Sequence, residues 1–171
     1  MRAIVYVLLA YVLIGIESPL LQKADIAFYA PDIGICIALY VGLNLPTISG
    51  MIAVFFVGVL VDGFAMGSPL GTHVEVLLIV FLAARTFSGK VALRTPVPIM
   101  LSCVLASLLG SLLFFVLSAI FDRVFDTYSM LFRVMGPNAL ITAPFGPLVF
   151  YVFRRVDDLF SRRRRETLLF R

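Results

Sequence analysis

The chain has little charge. Asp, Glu, Lys and Arg make up 14% of its 171 residues, against 61% hydrophobic. That shortage excludes a water-soluble globular domain, in which about a quarter of residues are charged. Tryptophan is absent, and there are one histidine and two cysteines. Losing tryptophan removes one common pocket aromatic, although 16 Phe and 6 Tyr remain. Two cysteines make no disulfide framework, and Cys36 and Cys103 lack the spacing of a metal site. Both sit in apolar runs and read as small buried hydrophobes. The lone His73 is far in sequence from the hydroxyls of Ser102, Ser107 and Ser111, so no nucleophile–base pair is visible. There is no phosphate-cradling loop and no carboxylate pair. The expectation is a chain that is not an enzyme and takes no cofactor and no metal.

What is present is apolar sequence in long runs. A membrane-spanning helix needs about 20 apolar residues, so the chain has room for roughly six spans and short joints. No segment is left for a soluble domain. Met1 and Arg2 followed by an apolar run imitate a signal peptide, but no small-x-small cleavage site follows. We read a first span over 3–21, with Gln22 to Asp25 as a polar joint. Ile33 to Val61 then carries no charge over 29 residues. As one helix it would be about 43 Å long, against a hydrocarbon core of about 30 Å. Asn44-Leu45-Pro46 is a natural break, because proline removes a donor and restricts its predecessor. The spacing therefore predicts two short spans, 31–43 and 46–61. A glycine-rich joint over 62–71 follows, then spans at 72–84, 97–121 and 137–153, the last with Pro144 and Pro147 inside. Thr72 with Glu75 is a capping-box pattern, and Ser68 before Pro69 is an alternative helix start.

The expected fold class is an all-α integral membrane protein with about six short transmembrane helices. Residues 1–153 form the six-helix domain and 154–171 a basic cytoplasmic tail. With six spans, Arg2, the 85–94 loop and the tail share one side and hold 11 of the 14 Lys and Arg. The positive-inside rule then puts both termini in the cytoplasm. Five spans give the same split, so charge fixes the loop and tail while the Asn44–Pro46 break decides the count. In the tail, Arg162, Arg163, Arg164 and Arg165 suit anionic lipids, each arginine contributing about 1 kcal/mol near such a leaflet. Val156 and Phe160, four apart, fit a short amphipathic helix on the membrane surface. A topology anchor is the simpler reading of this run and a dock for a cytoplasmic partner the sharper one. Nucleic-acid binding is not expected from so short a juxtamembrane run.

Two small-residue stripes stand out. Gly34, Ala38 and Gly42 lie four apart, as do Ser102, Ala106 and Gly110. Such stripes let helix backbones approach closely in a bilayer. They serve packing within the chain, or one of them faces a partner helix. Asp62 is the most informative residue. It closes an uncharged span four residues after Gly58, and a carboxylate at that depth needs partners. Backbone N–H groups of the following joint, or His73, could supply them. That makes Asp62 a cap for the joint, or else a ligand, proton or partner contact. His73 and Glu75 are two apart and do not share a helix face, which argues against a metal with Asp62.

The joints carry a resemblance. Pro31-Asp32 opens a short span, Gly58-x-x-x-Asp62 closes the next, and Gly67-Ser68-Pro69-Leu70-Gly71 follows. The last span carries Gly136-Pro137-Asn138, with Pro144 beyond, before a basic tail. In these features and in length the chain resembles the MreD family of bacterial rod-shape-determining membrane proteins. The resemblance implies a non-enzymatic scaffold or regulatory subunit of the cell-elongation complex in the bacterial cytoplasmic (inner) membrane. Its implied partners are the bitopic protein MreC, the peptidoglycan synthase of RodA with a class B penicillin-binding protein, and MreB filaments inside. The family-like positions are Pro31, Asp32, Gly58, Asp62, Gly71, Asn138 and Pro144. The family also looks like the six-helix substrate-binding subunits of energy-coupling-factor vitamin transporters, which supplies the fold expectation and a rival function. That class often carries Ala-x-x-x-Ala-x-x-x-Ala on its first span, whereas here only Ala3 and Ala10 occur there.

Overall fold

The computed structural model describes the backbone of residues 2–23, 31–64, 71–88, 95–121 and 128–169. Side chains are described within 3–17, 31–64, 71–88, 95–117 and 135–159. Among these residues the chain is all-helical, with six helices and no strand. They are α1 (Arg2–Lys23), α2 (Ile33–Asn44), α3 (Thr47–Phe64), α4 (Thr72–Phe87), α5 (Pro96–Phe121) and α6 (Tyr128–Leu169). Among the described residues, three stretches are long and apolar enough to cross a membrane: Thr47–Phe64, Pro96–Leu117 and Met135–Leu159. Ala3–Glu17 and Ile33–Asn44 are shorter apolar helices.

The uncharged 33–61 run does break. Leu45 leaves α2 in extended backbone (φ −100°, ψ 153°), the conformation required of a residue before proline. The Leu45 N–H still donates to Val41 O at 2.9 Å, and Asn44 Nδ2 donates to Tyr40 O at 2.9 Å, so freed carbonyls at the end of α2 are satisfied. Pro46 O then accepts from Gly50 N–H at 2.8 Å as α3 begins.

Helix α2 is the centre of the bundle. Ile33 through Gly42 are all buried, and α2 touches every other helix. A helix apolar on all sides is stable only when surrounded, which accounts for its lack of an amphipathic pattern. Its glycines lie against α4 and the end of α3. A Cβ on Gly42 would come within 2.9 Å of both Ala84 Cβ and Phe81 O, and one on Gly34 within 3.2 Å of Val61. Ala38 between them is fully buried. Gly58 on α3 is tighter still, since a Cβ there would lie 2.6 Å from Val74 Cα on α4. On α5, Gly110 packs against Ile35.

The contacts fix helix directions. Asp32 meets Thr142 and, eight residues on in each helix, Tyr40 meets Phe150, so α2 and α6 run parallel. Gly34 beside Leu77 and Gly42 beside Ala84 make α2 and α4 parallel as well. Gly50 beside Phe81 and Gly58 beside Val74 make α3 antiparallel to α4. The start of α1, at Tyr6, lies with the far part of α6, at Asp157.

Two boundaries differ from the sequence expectation. Helix α6 starts at Tyr128, so the polar joint expected up to Arg133 is partly helical and Pro137 lies inside the helix. It then continues past Phe153 to Leu169 without a break, giving 42 residues and about 63 Å. The segment expected as a short amphipathic helix is helical and continuous with α6. The backbone of Arg162, Arg163, Arg164 and Arg165 belongs to that extension. Helix α4 is also not opened by a capping box. Thr72 is its first helical residue, and Gly71 precedes it at φ +101°, a left-handed conformation that suits glycine. Gly71 makes no side-chain cap. Ser68 and Pro69 lie outside the described residues.

Candidate functional site

The cap for α4 comes from another helix. Asp62, near the end of α3 and 6% exposed, turns its carboxylate toward the start of α4. Oδ2 accepts the Gly71 N–H at 2.9 Å and Oδ1 accepts the His73 N–H at 3.1 Å. The first N–H groups of a helix have no internal partner, so this carboxylate satisfies orphan donors and complements the helix dipole. His73 Nδ1 is also 2.8 Å from Oδ1. Both partners named from sequence for Asp62 therefore contact it together. Gly58, one turn earlier on the same face, lets α3 approach closely enough for these bonds to form.

His73 in turn borders a cavity of about 220 Å³ walled by α2 to α6. Asp32, Ser111, Phe114 and Asn138 share its wall. The ring of Phe114 lies 5.3 Å from that of His73. The Asp32 N–H donates to Thr142 Oγ1 at 2.9 Å, and that hydroxyl donates to Asn138 O at 2.7 Å. One threonine thereby ties the opening of α2 to the first half of α6. Glu17, late in α1, is within electrostatic reach of Asp32.

Of the seven family-like positions, the cavity wall takes Asp32 and Asn138, and Asp62 and Gly71 form the cap that holds His73 there. Gly58 sits behind the cap, Pro31 is buried just before α2, and Pro144 is exposed on α6 away from the cavity wall. Glu75 is exposed on α4, and no group of three metal-ligating side chains occurs among the described residues. Ser102 and Ala106 line a separate apolar groove of about 500 Å³ with Leu39, Val80 and Phe87. The side chains of the arginine run lie outside the described residues.

A second polar cluster lies at the other end of the bundle, and sequence reasoning missed it. The hydroxyls of Tyr6 and Tyr40 both donate to Asp157 Oδ2, the Tyr40 bond measuring 2.8 Å. Phe150 and Phe153 pack edge-on around these rings at 5.1–5.2 Å. Asp157 lies four residues after fully buried Phe153, one turn along the same face of α6. That spacing was the available signal, hidden because Asp157 stands among arginines. Cys36 and Cys103 are free and fully buried.

No family model, no curated protein and no solved structure matches the chain.

Proposed function

We propose that the chain is a non-enzymatic, six-span inner-membrane subunit of the bacterial cell-elongation complex. It acts as a scaffold or regulator by binding an MreC-like bitopic protein, and through it RodA with a class B penicillin-binding protein and MreB filaments. The observation that carries this reading is the convergence of Asp32, Asp62, Gly71 and Asn138 around one end of the bundle. Those joints supply the resemblance to the MreD family, and they are close in space although they span more than a hundred residues of sequence. Helices that alternate in direction put both ends of the chain on one side, which agrees with the positive-inside reading of cytoplasmic termini. The Asp32 end then faces the periplasm, where the partner's domain lies, and the α6 extension carries its arginines toward the cytoplasm and anionic lipids. Depleting the chain from the bacterium that carries it should turn rod-shaped cells round. Cells that keep their shape after depletion argue against this reading.

A second reading has one observation in its favour. The 220 Å³ cavity with Asp32, His73 and Asn138 in its wall suits the substrate-binding subunit of a vitamin or other small-molecule transporter of the energy-coupling-factor type. The bundle would then share that six-helix fold. Such a subunit requires an ATPase pair, and the alanine stripe that commonly docks it is missing from α1. We therefore rank this reading second.

A further inference from the structure

The cavity at the Asp32 end has more polar groups than protein partners for them. Asp32 stands at the N-cap position of α2 but makes no side-chain cap there. Asn138 Oδ1 is buried and has no hydrogen-bond partner. His73, held by the Asp62 carboxylate 2.8 Å from its Nδ1, lines the same wall. Ser111 adds a hydroxyl to the same wall. No lysine or arginine is among the described lining residues. Polar side chains inside a spanning bundle face water or a ligand path when they lack protein partners.

This arrangement selects a chemistry. Asn138 Oδ1 is an unmet acceptor, and Asp32 is a buried carboxyl for which an unpaired charge is costly. A matching ligand brings N–H donors and a positive charge. The rest of the wall is apolar, with Val76, Leu77 and the Phe114 ring, a surface that accepts an apolar body and attracts a cation. A bare metal ion fits poorly, because no group of three strong ligands is present among the described residues. Water alone could fill the space with about seven molecules at ~30 Å³ each. It would bring no charge to balance Asp32. We infer that this cavity binds a primary ammonium group on a small apolar body, with Asp32 as its counter-ion and Asn138 as a second acceptor. The inference holds for either functional reading above. The ammonium can belong to a free amine or to the headgroup of phosphatidylethanolamine.

The test uses the full chain in phosphatidylcholine nanodiscs, whose lipid headgroup is a quaternary and not a primary ammonium. Benzylamine is titrated against it, with benzyl alcohol as a neutral analogue of the same size. Benzylamine should bind saturably, and benzyl alcohol about tenfold more weakly or worse, the loss expected for one charge-assisted hydrogen bond. Asp32→Asn should weaken benzylamine by about the same factor. Ser111→Leu, which fills the cavity, should remove binding and provides a second variant if Asp32→Asn does not fold. Nanodiscs of phosphatidylethanolamine separate the two sources: suppressed benzylamine binding assigns the site to the headgroup, and unchanged binding to a free amine. Equal binding of amine and alcohol overturns the inference. So does no saturable benzylamine binding in phosphatidylcholine, or native affinity in both variants. Because binding is read on the isolated chain, its failure is distinct from failure to find an elongation partner.

Discussion

Asp62 Oδ1 lies 2.8 Å from His73 Nδ1 and also accepts the His73 backbone N–H at 3.1 Å. One carboxylate oxygen thus fixes both the start of α4 and a ring that borders the cavity. Asp62→Ala should lower stability by about 1–3 kcal/mol, the cost of leaving buried donors unmet. Asp62→Asn, which keeps one acceptor oxygen, should cost less. Thermal unfolding in detergent measures both. If Asp62 were instead an ion or proton carrier, Asp62→Asn would keep stability and abolish flux into liposomes.

Gly58 and Gly63 provide a paired test on one helix. A Cβ at Gly58 would lie 2.6 Å from Val74 Cα, backbone that cannot turn aside. Gly58→Ala should therefore destabilise by about 1–3 kcal/mol as α3 and α4 are forced apart. Gly63 has nothing within 4 Å. Gly63→Ala should be neutral or stabilising by about 0.5–1 kcal/mol, as expected for glycine within a helix. Unfolding midpoints of the two variants under the same conditions decide the matter, and equal effects would contradict the α3–α4 packing.

Tyr6 and Tyr40 share one acceptor, Asp157 Oδ2. Tyr6→Phe and Tyr40→Phe should each cost about 1–3 kcal/mol, since each removes a bond to a charged group. Their combination should depart from additivity by about 0.5 kcal/mol or more, as groups in one network do. A double-mutant cycle on thermal or denaturant unfolding reads this coupling. Strict additivity would mean that the three residues do not form one cluster.

Cys36 and Cys103 are free and 0% exposed. The folded chain should resist labelling by N-ethylmaleimide at both positions and react at both once unfolded. Mass spectrometry of intact protein before and after denaturation checks this. Rapid labelling of the folded chain would contradict the burial of α2 against α5.

The legible parts of the fold were those set by local chain chemistry. The α2–α3 break follows from Pro46 acting on Leu45, its immediate neighbour. The partners of Asp62 lie 9 and 11 residues away, close enough to infer from the joint alone. What escaped notice depends on long-range packing. Tyr6 and Asp157 are 151 residues apart, and nothing local marks either as a partner of the other. The start of α4 misled for a similar reason: Gly71 holds the N-cap position in place of Thr72, and the carboxylate that caps the helix comes from α3. Helix α6 runs through Gly136-Pro137 where a boundary was expected, because prolines are tolerated in a packed apolar helix when neighbours satisfy the freed carbonyls. The cavity was legible only as separate residues. Asp32 and Asn138 were named at two distant joints, and the parallel alignment of α2 and α6 brings them to one wall.

The central claim concerns the company the chain keeps in its membrane. The most direct measurement is affinity capture of the tagged full chain from native membranes, with identification of co-purifying proteins by mass spectrometry. The account predicts an MreC-like protein with a periplasmic coiled coil, accompanied by RodA and a class B penicillin-binding protein. Recovery of an ATPase pair with no MreC-like partner would contradict it and favour the transporter reading.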